Sequence, residues 1–518
     1  MDAEKPYEYA KKPNLFQMKK VILCFFFCLS YYYIFGQARS FYLQIPDEAN
    51  APAITLLKSS GFLKIVTGNT EVDNVLSKYQ VSKFEKAFPT AVTPFLQEIY
   101  IVKCSDLELM QELHSKFPSK YPLVEEIMEP VLTYKPNDFG LHGPFGQGQN
   151  NLDLIRIPEA WDLTKGNEQV VIGVTDTDFD LNHPELENQI ISIRGSNTFY
   201  GYSHGTRVAG LLSAETNNGI GISGTGYKCK ISASSNWGDD NEVLLLAQSG
   251  IRVVNCSWYN SCSYQSVQHA LYEEIKNVNN CIVVFGAGNE PNHCGSLEAY
   301  VYPASYDNVV SVTAVGHVFD IGYVHPTYGN IFWKGCHESL VGDPTSAYHH
   351  NDLVNICAPA YAVPTLKHTI EEGDGYTDAH GTSFAAPQVA ATCALMISAN
   401  PCLTADEVLD FLYSTADASI YDLSCNSDYI GKLGSGRLDA YEAVNAAIEA
   451  GRVINTNSIH SGTQTVSAPT ILSAAGKVTS GSDITFQAPR EVELRAGFEV
   501  ELGAEFEIVM DYTCPFSN

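Results

Sequence analysis

From Gln169 onward, short apolar runs alternate with helix-like stretches, and this alternation constrains the fold more than any other feature of the chain. Strand-like runs lie at Gln169 to Thr175, Lys228 to Ser234, Ile251 to Cys256 and Cys281 to Ala287. Helical patterns open near His204 and cover Val243 to Gln248. Strands as apolar as Val253-Val254 or Ile282-Val283-Val284-Phe285 must be covered on both faces, and helices linking parallel strands supply that cover. The expectation is an α/β fold with a mostly parallel central sheet and helices on both faces. In such sheets the reactive groups gather beyond the carboxyl ends of the strands. Asp176, Ser257 and Asn289 each stand where a strand-like run ends.

Three phrases carry chemistry: Val174-Thr175-Asp176-Thr177, His204-Gly205-Thr206-Arg207-Val208-Ala209-Gly210, and Gly381-Thr382-Ser383-Phe384-Ala385-Ala386-Pro387. Each alone marks little more than a turn before a helix. Together they hold an acid, a base and a nucleophile. A serine hydroxyl attacks at neutral pH only when a base takes its proton. Ser383 opens a helix-like run to Asn400, with Pro387 expected in its first turn, where a missing N–H costs little. His204 also starts a helix and can take that proton and return it to a leaving amine. Asp176, at a strand end, would fix the imidazole tautomer and stabilise its charge.

The order Asp, His, Ser with these flanking residues resembles the subtilisin-like serine peptidases (subtilases), over roughly Leu152 to Ala450. The resemblance implies a secreted serine endopeptidase that cleaves peptide bonds through an acyl-enzyme, made as a precursor and activated by propeptide cleavage. It implies that Asn289, in Phe285-Gly286-Ala287-Gly288-Asn289-Glu290, joins the Ser383 backbone N–H in an oxyanion hole. It further implies that Ser257, Trp258, Tyr259, Gly286, Ala287 and Gly288 bind substrate, which enters as an added strand.

The sequence departs from the family at Asp178, where glycine commonly follows Asp-Thr, and at the bulky Trp258 and Tyr259. These motivate an alternative of another class, a catalytically impaired surface or binding protein. The intact Asp176, His204, Asn289 and Ser383 count against it. An esterase reading fails because no Gly-x-Ser-x-Gly elbow surrounds Ser383. Asp178 and Asp180 are read as a solvated turn rather than cation ligands. The calcium common in the family is not carried over, and no metal or cofactor is expected.

Around this core the chain divides into an N-terminal extension with a signal peptide (1–38), a small α+β domain (39–135), an exposed linker rich in Gly, Gln, Pro and Asn (136–151), the peptidase domain (152–450) and a β module (451–518). Met18-Lys19-Lys20, the apolar run Val21 to Phe35 and Gly36-Gln37-Ala38 have the zones of a secretory signal. The run is short for a membrane span. Translation is expected to start at Met18, the seventeen residues before it being dispensable, with signal cleavage near Ala38 and a secreted, periplasmic or cell-surface location. The 39–135 domain stands where subtilases carry a propeptide that acts as an intramolecular inhibitor, so maturation is expected within or close to the linker. In the β module, Ser482 to Phe486 and Arg495 to Phe506 alternate apolar and polar residues with glycine at the bends, the mark of a small β module or short solenoid. It resembles terminal repeats of exported proteins of the Bacteroidetes-like type, a possible contact with a surface or partner. The 59 acidic against 31 basic residues leave a net charge of -28, which repels nucleic acid and anionic membranes. Protein or peptide substrates and a monomer are expected.

Of 14 cysteines, ten lie between Cys229 and Cys425. In an exported chain that number suggests disulfides. Cys402 with Cys425 and Cys262 with Cys294 are the expected pairs. Cys256, Cys281, Cys357 and Cys393, in apolar patterns, are expected as reduced core residues.

Overall fold

The computed structural model describes residues 39–46, 52–56, 63–88, 91, 93–104, 108–127, 134–199, 201, 203–289, 293–371, 373, 375–451, 453–456, 458–468, 470–489, 491–495 and 497–510. The expected signal peptide, Cys24, Cys28 and Cys514 lie outside them. The chain forms two compact units, residues 1–132 and 133–518.

In the first unit, β1 (Arg39–Gln44), β4 (Val81–Lys86), β5 (Ile99–Cys104) and β6 (Val124–Ile127) form an antiparallel sheet in the order β4-β5-β1-β6. A separate hairpin pairs β2 (Ala53–Leu56) with β3 (Leu63–Val66). Helices α1 (Thr70–Leu76) and α2 (Glu108–Lys116) bury Val72, Val75, Leu109 and Leu113 in one core with Phe41, Leu43 and Val102. Asn69 caps α1, its side chain accepting from the N–H groups of Glu71 and Val72.

The second unit is built on seven parallel strands: β7 (Val171–Thr175), β8 (Ile190–Arg194), β9 (Lys230–Ser234), β10 (Val253–Cys256), β11 (Ile282–Gly286), β12 (Val310–Val315) and β13 (Ile356–Pro359). Their order is β13-β12-β11-β10-β7-β9-β8. From β7 the chain lays β8 and then β9 on one side and later β10 on the other. A crevice opens at such a switch point, outside the carboxyl ends of the strands. Helices α3 (His204–Ser213), α4 (Asp240–Gln248) and α5 (Ser266–Asn277) connect these strands, and a hairpin of β14 (Val363–Leu366) and β15 (Tyr376–Ala379) follows the sheet. All residues of α6 (Thr382–Ala399) are buried. A helix apolar all round belongs in the interior. Among the described residues α6 alone is long and apolar enough to cross a membrane, and here it is a core helix. α7 (Ala405–Ser414) and α8 (Ala440–Glu449) complete the layer, α7 opening on a capping box between Thr404 and Glu407.

Pro387 is the sixth residue of α6, in its second turn rather than its first. The segment read as an exposed linker is docked. Asp138, Gln149 and Asn151 are fully or almost fully buried. Gln149 exchanges hydrogen bonds with the Ser223 backbone at 2.8 and 2.9 Å. Asp138 accepts from Ser223 Oγ at 2.5 Å and Asn218 N at 2.9 Å. The glycines that suggested a flexible tether instead make tight turns between these polar anchors.

Cys262 pairs with Cys294, as expected, but Cys425 pairs with Cys336 rather than Cys402. Cys402 is itself disulfide-bonded. The residues after β12 bring Cys336 beside Cys425, a proximity that no local pattern announces. Cys104, Cys229, Cys256, Cys281, Cys357 and Cys393 are buried thiols.

Residues 453–509 wind into three rungs of three strands each. These are β16 (Val453–Thr456), β17 (Ile459–His460) and β18 (Thr463–Ser467), then β19 (Ile471–Ala474), β20 (Lys477–Val478) and β21 (Asp483–Gln487), then β22 (Glu491–Leu494), β23 (Glu499–Val500) and β24 (Glu505–Val509). Corresponding strands pair in parallel on three faces, which makes a short solenoid. Leu472, Val478, Ile484 and Phe486 fill its interior, and the Phe486 and Phe506 rings meet edge-on at 5.1 Å.

Candidate active site

The switch between β7 and β10 brings the sequence-selected residues to one edge of the sheet. β7 is fully apolar up to Thr175, so Asp176 leaves a rigid strand end and is itself buried. Its Oδ1 lies 2.7 Å from His204 Nδ1 and also accepts from Thr177 N at 2.7 Å. Burial disfavours the imidazolium, but the Asp176 charge and hydrogen bond outweigh it, so the pKa of His204 is raised above its ordinary value. An imidazole with Nδ1 so occupied presents Nε2 as the base. The His204 ring lies 5.3 Å from that of Phe384, next to Ser383.

Ser383 is the second residue of α6 and is nearly buried. Its hydroxyl donates to the Ser257 carbonyl at 3.3 Å. In return, Ser257 Oγ donates to the Ser383 carbonyl at 2.8 Å. In an uninterrupted helix that carbonyl would accept from the N–H four residues on, which is Pro387 and has none. The Ser257 hydroxyl fills the vacancy, and Asn255 Nδ2 donates to it at 2.9 Å.

Asn289 follows β11 by three residues. Its Oδ1 accepts from Thr382 N at 2.7 Å and from Thr382 Oγ1 at 2.9 Å, while Thr382 Oγ1 accepts from Gly288 N at 3.2 Å. The oxygen is thereby held against the start of α6, which leaves the Nδ2 donors to face away from it. Gly286 permits this contact: a Cβ there would stand 2.8 Å from Thr382 Oγ1. An acid-held base, a helix-borne hydroxyl and an oriented amide at one sheet edge suit acyl transfer from a carbonyl.

The model of the family described as "Subtilase family" matches residues 167–448. The chain belongs to the subtilase family. It is 28% identical to thermitase of Thermoactinomyces vulgaris, over 60% of this chain and 99% of that one. It is 30% identical to the thermophilic serine proteinase of Bacillus sp. (strain AK1), over 62% and 73%, and 26% identical to subtilisin NAT of Bacillus subtilis subsp. natto, over 59% and 74%. The protein is a serine-type endopeptidase with peptide or protein substrates.

The structure of this subtilase separates the residues expected to bind substrate. Ser257, Gly286, Ala287 and Gly288 lie at the carboxyl ends of β10 and β11, with Ala287 N donating to Val312 O at 2.9 Å. Tyr259 is half-buried. Trp258 turns inward. Its Nε1 donates to the Thr175 carbonyl at 3.1 Å and to Thr175 Oγ1 at 2.8 Å, and its ring meets Phe285 edge-on at 5.1 Å.

Asp178 takes no positive φ. The close approach required here falls on Gly205, whose Cβ would stand 2.6 Å from the Asp178 carbonyl oxygen. The turn is not solvated as expected, because Asp178 and Asp180 are both buried. Asp180 accepts from Thr369 N at 2.8 Å, Thr369 Oγ1 at 2.5 Å and Asn182 N at 3.0 Å. Neither oxygen of Asp178 has a hydrogen-bond donor among the described residues, and burial pushes its pKa up. Among the described residues no group of three His, Cys, Asp or Glu could hold a metal ion.

Two positioning roles escaped sequence reading. Thr382 orients Asn289, and the Ser257 hydroxyl serves Ser383. The second had a legible signal, a proline four residues after Ser383, but nothing in the sequence says which donor replaces the missing N–H.

Proposed function

We propose that this subtilase cleaves peptide bonds with Ser383 as nucleophile, His204 as general base and acid, Asp176 as the group that orients and stabilises the imidazolium, and Asn289 as an oxyanion donor. The observation that carries the reading is the 2.7 Å contact between Asp176 Oδ1 and His204 Nδ1. It fixes the tautomer, so Nε2 takes the Ser383 proton as Oγ attacks the carbonyl carbon. The tetrahedral oxyanion is held by Asn289 Nδ2 and the Ser383 N–H, the latter free because it lies in the first turn of α6. Collapse expels the amine, protonated by His204, and water then hydrolyses the acyl-enzyme by the same steps in reverse. Ser257, Tyr259 and the Gly286-Ala287-Gly288 backbone would flank the acyl side of the substrate. Loss of function at this site is not favoured, since all four groups are intact.

The same proposal includes maturation. The first unit acts as an intramolecular inhibitor, and its removal yields the enzyme. Tyr134 N donates to Asp162 Oδ1 at 3.1 Å and Tyr134 Oη to Asn217 Oδ1 at 2.7 Å. The fastening of residues 134–151 supports a mature amino terminus at or before Tyr134 rather than within the glycine-rich stretch. Secretion through a signal ending near Ala38 fits two described disulfides, and the solenoid serves as a surface or partner contact on a monomer.

The test is reaction of the processed protein with a fluorophosphonate, read by mass spectrometry beside Ser383→Ala. Labelling confined to Ser383 is expected. Absence of labelling after confirmed removal of the first unit would shift the reading to a binding protein.

A further inference from the structure

Residues 316–355 join β12 to β13. Within them Val318, Phe319 and Ile331 pack into a small core of their own, with Phe332 and Trp333 against it. His325 and Gly329 close a hairpin by reciprocal backbone hydrogen bonds of 2.7 and 2.9 Å. Phe145, from the docked 134–151 segment, lies against this core. Its ring stands 5.4 Å from Phe319, 5.2 Å from His325, 6.4 Å from Tyr328 and 6.3 Å from Phe332. Phe332 lies in turn 5.9 Å from the ring of His380. His380 is exposed, three residues before Ser383, and its Nδ1 accepts from Ala362 N at 3.1 Å. A continuous row of rings thus runs from the catalytic loop to Tyr328.

This row is costly to maintain. Phe145 is 46% exposed and Tyr328 57% exposed, with Ile321, Tyr323 and Val324 exposed in the same loop. Phe145 also holds a φ of 52°, a left-handed conformation that a bulky residue rarely takes. Water contact and backbone strain on one ring point to a surface kept for a ligand.

The sheet order says which ligand. Along the carboxyl edge, Ser257 follows β10, Asn289 follows β11 and the aromatic loop follows β12. A substrate whose acyl half lies by Ser257 passes the oxyanion donor and carries its leaving half toward the rings. We propose that His380, Phe332, Phe145 and Tyr328 form a subsite for aromatic or large apolar side chains on the leaving-group side of the scissile bond. The proposal rests on the peptidase reading with Ser383 as nucleophile. Aromatic rings favour such side chains through edge and offset contacts in addition to apolar burial.

The experiment exposes a tryptic peptide library to the processed enzyme and maps the cuts by mass spectrometry. Aromatic and large apolar residues should be enriched about fivefold at the second or third position after the cut. Phe145→Ala and Tyr328→Ala should each abolish that enrichment and leave preferences before the cut unchanged. A single cooperative thermal unfolding transition in each variant should report that both fold. Cuts without enrichment on the leaving side, or enrichment that survives both substitutions, would overturn the subsite and leave the peptidase reading standing. No cuts and no fluorophosphonate labelling would overturn both. Self-association lost in Phe145→Ala, without any change in cut sites, would assign the rings to a second copy instead.

Discussion

Ser257→Ala removes a hydroxyl with two partners in the interior. It orphans the Ser383 carbonyl, which cannot accept from Pro387, and it orphans Asn255 Nδ2. Both residues are buried, Asn255 completely. A buried polar group left without its partner costs about 1 to 3 kcal/mol, so the substitution, which orphans two, should cost about 2 to 6 kcal/mol in total. Pro387→Ala offers a rescue, because it restores the missing backbone N–H, which can then donate to the Ser383 carbonyl along the helix. In Ser257→Ala/Pro387→Ala only the Asn255 deficit remains. The double variant should therefore be more stable than the sum of the singles by about 1 kcal/mol or more. Urea unfolding in a Ser383→Ala background, where self-digestion is absent, measures all four corners of the cycle. A Ser257→Ala cost below about 0.5 kcal/mol, or a coupling indistinguishable from zero, would refute the claim that the hydroxyl stands in for the helical donor.

Other consequences concern rate, pH and stability. Asn289→Ala should lower kcat about 10²- to 10³-fold with little change in KM, whereas Thr382→Val, which only lets the amide drift, should cost about tenfold. Thr382→Ser should restore most of that loss, and Thr382→Val should cost nothing further in the Asn289→Ala background, as steady-state kinetics on one peptide substrate would reveal. Because the pKa of His204 is raised and the base must be neutral, the acid limb of kcat/KM should lie above 6.5, the ordinary imidazole value. Asp176→Asn should move that limb to lower pH while reducing the rate by about 10⁴. Glu185 is fully buried and accepts from Ile222 N, Asn218 Nδ2 and Tyr376 Oη, yet burial and the Asp138 charge raise its pKa to about 7. With the folded value above the unfolded one, its contribution is present in full below pH 4.5 and is lost as pH rises through about 7. Thermal unfolding of Ser383→Ala should weaken by up to about 3 kcal/mol across that window, and Glu185→Gln should flatten the profile.

The sequence by itself determined what short-range pattern can encode. Runs apolar on both faces, such as Ile282 to Phe285, demand strands covered on both sides. The small residues after Ser383 demand a helix that others can approach closely. Asp176, His204, Ser383 and Asn289 stand at the strand ends and helix starts that these patterns create. Period-two alternation with glycine at the bends announced the solenoid.

Tertiary structure alone decided the rest, because each remaining feature depends on which distant groups meet. Trp258 could have faced the cleft until Thr175 and Phe285 offered its indole a hydrogen-bond acceptor and an edge contact. The glycines of 136–151 promised a flexible tether, but Asp138 and Gln149 found donors and an acceptor in residues 218–223 and became anchors. Cys425 chose Cys336 over Cys402 because the loop after β12 carries Cys336 to it. The Ser383 carbonyl found its donor just beyond β10, away from its own helix. Local sequence sets backbone preference and burial, which decide where a reactive residue sits on its element. The partners that align and satisfy it come from packing, where buried polar groups must be paired with whatever the fold brings near.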